Sequence, residues 1–407
     1  MSTIGVLGTY DTKGLELDFI ARAIRIRGHD ALLIDVGTLR PPRVEPDIGR
    51  LEIAAAAGLD LDALVARGDR GAAVSAMAAA APRLIAELVA ARRIDGLVAI
   101  GGGGGTAVAA SAMRALPIGF PKLIVSTLAG GNVSPYVGSK DIVMFPSIVD
   151  VAGLNRVSKL VFSRAAGAIC GMVEAPIDVN DDRPIVAATV FGNTSAALDE
   201  ARRLLADSAY ETVLFHATGT GGRAFEALVE AGLAAGVLDL TTTEWADELV
   251  GGILGAGPTR LDAAAHARIP AVIAPGCLDM VNFGEPGTIP DRFRGRRFYQ
   301  HNPQVTLMRT TPDESAQLGR ILAAKVNAYE APAAVVLPLR GLSEIGSQNR
   351  PFFDPEADAA LFESIRNHLQ PRILLIELDV DINNVEFARV CVHTLRSFLE
   401  AGRSSSP

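Results

Sequence analysis

The sequence predicts an α/β protein of two Rossmann-like lobes, each with a mainly parallel sheet flanked by helices, and a ligand cleft at the lobe interface. Three observations carry this. One opening is spelled twice: "TIGVLGTYDTKGLELDFIARAI" from Thr3 to Ile24 and "PIVAATVFGNTSAALDEARRLL" from Pro184 to Leu205. Both run from a Val/Ile-rich apolar stretch through a glycine, Gly8 or Gly192, into Thr/Asn/Asp and an amphipathic helix. The 407 residues exceed what one core usually organises, so two domains of roughly 180 to 220 residues are expected. Hydrophobic residues make up 49% of the chain and aromatics 5%, which suits small-residue helices packed on parallel sheets and does not fit disorder.

After the first helix, "HDALLIDVGT" reads as a second strand ending at Asp35, followed by a Pro-rich connection from Leu39 to Arg50. Helices are expected over Ile53–Leu64 and Gly71–Ala91, divided by "ARGDRG". "IDGLVAIGGGGGT" reads as a buried strand ending in five glycines, Gly101 to Gly105, with Thr106 capping a helix over Ala107–Met113. "KLIVST" is a further strand ending in "LAGGN". "YVGSKDIVMFPSIVDVAG" holds a short strand, and Leu154–Met172 reads as a long helix bridging the lobes. Turn residues and charge cluster in "EAPIDVNDDRP", which places the boundary between lobes at 1–178 and 179–407. The second lobe repeats the plan. "YETVLFHATGTGG" is a strand and glycine loop, "LDLTTTEWADELVGG" a strand and helix, and "IPAVIAPGCLDMVNFG" a strand and loop. "VTLMRTTPDESAQLGRIL" is a strand and Pro-started helix; "AAVVLPLRG" and "RILLIELDVDIN" are later strands, and the tail "GRSSSP" is expected to fray.

The formal net charge is −8, with acids and bases interspersed, which argues against nucleic acid or an anionic membrane as the main partner. Three scattered cysteines, Cys170, Cys277 and Cys391, show no paired spacing, so a reducing, cytoplasmic setting without disulfides is expected. The chain enters a strand directly and no apolar run reaches about 18 residues, so neither export nor membrane spanning is expected. Cys391 and His393 are two apart in a helical stretch and face different ways; with no CxxC or H-E-x-x-H, no metal site of that kind is expected.

The glycine run is the strongest local signal. Five glycines after a strand cost conformational entropy, and close approach of backbone to a bound phosphate at Gly102, Gly103, Gly104 and Gly105 would offset it. Thr106 would add a hydroxyl; a ligand-free tight turn is the bland alternative. In "GTYDTKG", Gly8, Thr9, Asp11, Thr12 and Lys13 suit a nucleotide, although Lys13 precedes its glycine and the P-loop pattern is not met. A capped turn explains Asp11 and Thr12 equally well. Asp35 stands where an acid can bind ribose hydroxyls, and a solvated strand-end carboxylate would look the same. Ser126, Thr127, Gly130 and Gly131 in "STLAGGN" complete the expected cradle. In the second lobe, Thr218, Gly219, Thr220 and Gly221 form another glycine loop. Asp279, Asn282, His301, Asn302 and Arg309 are polar groups in apolar surroundings. Asp279, His301 and Arg309 would supply acid/base chemistry or grip an anionic substrate, while Asn282, Asn302 and the loop would hold it; hydrogen bonding within the protein is the equal alternative.

With these residues laid out, the chain resembles a family of bacterial, fungal and plant proteins that shares the ATP-binding N-terminal region of the tomato mosaic virus resistance protein. The matches span nearly the whole chain in order: "GTYDTKGLE", "EPDIGRLEIAAAAG", "GDRGAAVSAM", "GGGGGT", "STLAGGNVSPYVGSKDIVMFPSIVDVAGLN", "TGTGGRAFE", "PGCLDMVNFG" and "HNPQVTLMRTT". One departure is "GLSEIG", where the pattern has an acid at Gly346. The resemblance implies two Rossmann-like lobes, ATP binding in the first, and a homodimer. The resulting expectation is a cytoplasmic protein that binds ATP with Mg²⁺ and activates an acidic or carbonyl metabolite by phosphoryl or nucleotidyl transfer. The alternatives are a non-catalytic nucleotide-sensing module that binds a partner protein, and an enzyme acting on a sugar acid or organic phosphate.

Overall fold

The computed structural model describes residues 1–176, 182–206 and 208–404. The chain divides into two compact units, Met1–Asp178 and Val179–Pro407. Part of the expected boundary segment, residues 177–181, lies outside the described residues, as do 405–407 of the tail expected to fray.

The first unit runs β1 (Thr3–Gly8), α1 (Tyr10–Ile26), β2 (Asp30–Asp35), α2 (Arg50–Ala56), α3 (Leu61–Ala66), α4 (Arg70–Ala90), β3 (Gly96–Gly101) and α5 (Gly103–Arg114). It continues with β4 (Lys122–Ser126), α6 (Ser134–Val137), β5 (Val143–Pro146) and α7 (Arg156–Glu174). The sheet is parallel throughout, in the order β2-β1-β3-β4-β5. Helices cover both faces, so central strands read as unbroken apolar runs: Leu97 and Ala99 pack with Met77 and Met113 on one side, Val98 and Ile100 with Leu17 and Phe162 on the other. The helix expected over Ile53–Leu64 is two helices, because Gly58 turns to φ +70° and Asp60 then caps α3 by accepting from Ala63 N. α4 has the length and apolar composition of a membrane span, although Ser75, Arg83 and Glu87 interrupt its apolar run; it buries one face, with Ala73, Met77, Ala81, Ile85 and Leu88, against the unit.

The second unit runs β6 (Ile185–Val190), α8 (Ser195–Ala206), β7 (Glu211–His216), α9 (Thr220–Glu230), β8 (Ala234–Thr241), α10 (Glu244–Val250), α11 (Ala263–Ala267) and β9 (Ala271–Gly276). Then come β10 (Met280–Phe283), β11 (Phe298–Asn302), β12 (Val305–Arg309), α12 (Pro312–Val326), β13 (Ala333–Pro338), α13 (Pro355–His368), β14 (Leu374–Leu378) and α14 (Val385–Ser404). Six strands form a parallel sheet, β14-β13-β9-β8-β6-β7; β10, β12 and β11 form a separate antiparallel sheet. The segment after β9, read as a loop, therefore contains a strand, and "VTLMR" joins the antiparallel sheet instead of continuing the parallel one. The chain leaves the parallel sheet at Cys277, which takes φ +57°. All three cysteines are buried and unpaired.

Candidate functional site

In the first unit, β2 lies on one side of β1 while β3, β4 and β5 follow on the other. Chain leaving the carboxyl ends of β1 and β3 therefore parts in opposite directions and opens a crevice between them. The crevice is a cavity of about 340 Å³ whose walls include Thr9, Asp11, Thr12 and Lys13 after β1 and Gly102 to Gly105 after β3. Thr38, Arg70 and Asp150 complete its polar lining.

The glycines after β3 differ in what they are for. A Cβ on Gly101 would stand 2.3 Å from Thr106 N, so glycine is required where the strand closes on its helix. Gly102 is the extended N-cap of α5, and Gly103, Gly104 and Gly105 are its first three residues. None of these three has a positive φ. A Cβ on Gly103 would meet nothing within 4 Å; on Gly104 and Gly105 the nearest atoms would be at 3.5 Å, ordinary contact. In a helix interior a glycine costs about 1 kcal/mol relative to alanine, and part of that cost falls on these first-turn glycines. Packing does not explain that cost. What the missing side chains leave free is the cavity and the first turn of α5, which no side chain caps.

α1 starts at Tyr10 and departs from helical geometry at Lys13 (φ −125°, ψ 21°), whose ammonium donates to the carbonyl of Val151. The hydroxyls of Thr9 and Thr12 are 2.8 Å apart. Asp11 is only 2% exposed; its Oδ2 accepts from the N–H groups of Leu39 (2.9 Å) and Arg40 (3.2 Å), and its Oδ1 has no partner. Arg70 makes no ion pair or hydrogen bond among the described residues.

Four expected cradle residues take other places. Asp35 is fully buried behind the cavity, where its Oδ1 accepts from Tyr10 N (3.0 Å) and Gly37 N (2.7 Å). Burial raises its pKa, and the nearby Asp11 carboxylate adds to the rise against those two N–H groups. It is thus a backbone anchor at the strand end, not an open ribose acid. Thr106 is not the cap; it is buried in the first turn, its hydroxyl 2.7 Å from that of Ser126, and so ties α5 to β4. Gly8 lets α1 approach β1, since a Cβ there would sit 2.7 Å from Leu17 Cδ1. Gly131 closes the turn after β4, donating to Leu128 O at 3.1 Å. Ser126, Thr127 and Gly130 instead line an adjoining hollow of about 460 Å³ with Ser147 and Ile148, and Asp150 borders both spaces. Arg70 and Asp150 carried no signal of their own in the sequence, although both lie in segments that matched the family pattern.

The glycine loop of the second unit is closed by its own chain. Gly219 takes φ +79°, a Cβ on Gly221 would stand 1.8 Å from His216 O, and one on Gly222 would stand 2.2 Å from Glu244 Oε2. Glu244 Oε1 accepts from Gly219 N (2.7 Å) and Gly222 N (3.0 Å), filling the N-terminus of α9 with a carboxylate. Its Oε2 accepts from Arg260 Nε at 2.6 Å, and the buried Arg260 also pairs with Asp239 (2.8 Å) and Glu226 (3.0 Å). Thr218 donates to His216 O at 3.2 Å, within the turn. Thr218, Gly219, Thr220 and Gly221 therefore build a helix start and leave no room for the expected substrate.

Nor does the structure gather Asp279, His301 and Arg309 into one open site. Asp279 is buried and accepts from Ser343 Oγ at 2.6 Å; burial raises its pKa against the pull of Arg309. Arg309 spends its donors on Phe352 O (2.8 Å), Thr310 Oγ1 (2.8 Å) and Asp358 Oδ1 (2.6 Å), so it has no fork free for an anion. His301 and Asn302 are exposed on β11, and Asn302 Oδ1 accepts from Gln304 N at 2.9 Å. Asn282 is buried, with its Nδ2 donating to Asp247 at 2.7 Å. Among the described residues, no group of three or more His, Cys, Asp or Glu is placed to hold a metal ion by itself.

Comparison with known proteins matches residues 2–178 to the N-terminal domain and residues 183–399 to the C-terminal domain of the uncharacterised protein family UPF0261, and the chain belongs to this family. A UPF0261 protein of Clostridium tetani is 42% identical over 97% of this chain and 98% of its own length. One from Rhizobium meliloti is 44% identical over 97% of this chain and 99% of its own length. The tomato (Solanum lycopersicum) ToMV susceptible protein tm-1(GCR26) is 37% identical over 98% of this chain, which spans 56% of that protein.

Proposed function

For this member of an uncharacterised family, we propose that the first unit binds a nucleotide through its phosphates, ATP with Mg²⁺, in the cavity between β1 and β3. The observation that carries the reading is the set of three helix-opening glycines, Gly103, Gly104 and Gly105, where a Cβ would clash with nothing, beside an uncapped helix start. A phosphate there meets backbone N–H groups and the positive end of the helix dipole. Lys13 supplies a point charge and Arg70 a planar fork. Mg²⁺ would supply charge neutralisation of the phosphates, and it usually takes only one or two protein carboxylates; Asp150 and Asp11 are the ones on this wall. The nucleoside end is accommodated by the adjoining hollow with Thr127 and Gly130. The family resemblance supports the same ligand, and a cytoplasmic homodimer belongs to the same proposal.

A specific observation favours nucleotide sensing over group transfer. Asp279 and Arg309, the groups that transfer chemistry would need in the second unit, are committed to a buried network. The test is calorimetric titration with ATP, ADP and NAD, with and without Mg²⁺. Micromolar ATP binding that depends on Mg²⁺ is the expected result; no binding of any nucleotide would overturn the reading. ATP consumption in the presence of a metabolite extract would restore phosphoryl or nucleotidyl transfer.

A further inference from the structure

The second unit holds a cavity of about 560 Å³ beyond the carboxyl ends of β13 and β14, at the edge of the sheet. Arg340 follows β13, Asp381 follows β14, and α13 contributes Asp358 and Phe362. Phe353, 40% exposed, adds an aromatic face.

The charges on this wall are unbalanced. Arg340 is held by Asp379, Nη2 to Oδ2 at 2.9 Å, so its charge is cancelled within the pair. Asp358 is 7% exposed; its Oδ1 is 2.6 Å from Arg309 Nη2, and its Oδ2 has no hydrogen-bond partner among the described residues. Asp381 accepts from Asn383 N at 2.9 Å and has no ion-pair partner among the described residues. The start of α13 does not favour an anion either. Pro355 has no N–H, Asp354 already accepts from Ala357 N at 3.2 Å, and Glu356 and Asp358 put acid in the first turn. Two carboxyl groups without a full complement of partners beside an exposed aromatic ring suit a cation on an apolar stem.

We propose that this cavity binds an organic primary ammonium with an apolar, ring-sized stem, its charge taken by Asp381, with Asp358 Oδ2 as a further hydrogen-bond acceptor, and its stem by Phe353 and Phe362. The cavity lies wholly within the second unit, and the assignment is independent of any nucleotide in the first. The probe is benzylamine, with benzyl alcohol as its uncharged counterpart, each titrated into the full chain and followed by ligand-observed NMR. Benzylamine is expected to bind about tenfold tighter than the alcohol, the increment a charge-assisted contact gives. Asp381→Asn keeps its oxygen for Asn383 N and leaves Arg309 paired, so it preserves the fold; it should abolish most of the preference for the amine while alcohol binding stays unchanged. Asp358→Asn, checked for folding by circular dichroism, should reduce the preference less than Asp381→Asn does, because Asp358 is already paired with Arg309. Equal binding of the two probes, no binding at millimolar benzylamine, or an amine preference that survives in folded Asp381→Asn and Asp358→Asn would each overturn the assignment.

Discussion

Two glycine-rich turns follow parallel strands in this chain and look alike in sequence, yet one is open and the other is full. After β7, glycines are present because the space belongs to other atoms: the His216 carbonyl and the Glu244 carboxylate stand where side chains would be. After β3, the side-chain position of Gly103 is empty and those of Gly104 and Gly105 meet only ordinary contacts, so the fold would accept alanine there. The same contrast holds at the sheet switch points. Between β6 and β8 of the second unit, Thr194 meets Thr241 at 2.7 Å and Thr189 meets Asp239 at 2.6 Å, closing the gap that stays open between β1 and β3. Packing accounts for the glycines after β7; after β3 it accounts for Gly101 and leaves Gly103 to Gly105, which line the cavity, to be explained.

The contrast breaks most readily at the filled turn. Gly221→Ala drives a methyl into the His216 carbonyl, and we expect the second unit to lose more than about 3 kcal/mol, seen as an early transition in denaturant. An Ala variant as stable as the parent would show that this turn is as open as the other.

The filled unit also encloses its charges, which gives a pH signature. Burial pushes Asp358 up to about 7, against the Arg309 guanidinium and with Asp279 and Asp354 adding to the rise. The folded state therefore keeps a proton that the unfolded chain releases near pH 4. Stability from this group is complete below that pH and is lost as pH rises through 7. Relative to Asp358→Asn, the parent should lose on the order of 3 kcal/mol between pH 4 and 8. A pH-independent difference between the two would contradict the assignment.

At the open turn the effects fall on binding. Lys13→Met and Arg70→Met should each weaken ATP by about tenfold and leave the unfolding midpoint of the first unit nearly unchanged. An unaltered affinity would remove those side chains from the site. The smallest effect is the most diagnostic of the contrast: Gly103→Ala should stabilise the first unit by about 0.5–1 kcal/mol, since it adds helix propensity and meets no atom. Destabilisation instead would mean that packing requires that glycine.

Much of this architecture was legible in the sequence because parallel strands covered on both faces are continuous apolar runs, as in "GLVAIG" and "AAVVLP". Strand ends and the start of each glycine turn were legible for the same reason. The antiparallel sheet was not, since β10 is four residues long and follows a turn at a positive-φ cysteine, with no change in composition to mark it. Half of the candidate site was legible: Thr9 to Lys13 and Gly102 to Gly105 do share one cavity. Arg70 reaches that cavity from the start of a separate helix, a closeness that only topology creates. Glycine spacing could not reveal that Glu244 fills the other turn from 22 residues away. Polarity alone could not distinguish Arg309, whose partners come from Phe352 and Asp358, from an arginine free to bind substrate.

The most direct measurement is calorimetric titration of ATP and Mg²⁺ into the parent and Gly103→Val, paired with thermal unfolding of each. A Cβ at position 103 meets no protein atom within 4 Å, so the variant should leave the first unit folded while placing methyl groups at the space assigned to phosphate. Intact unfolding with ATP affinity lowered by about tenfold or more is the expected result. Unchanged affinity in the folded variant would contradict the claim that these glycines are there for a ligand.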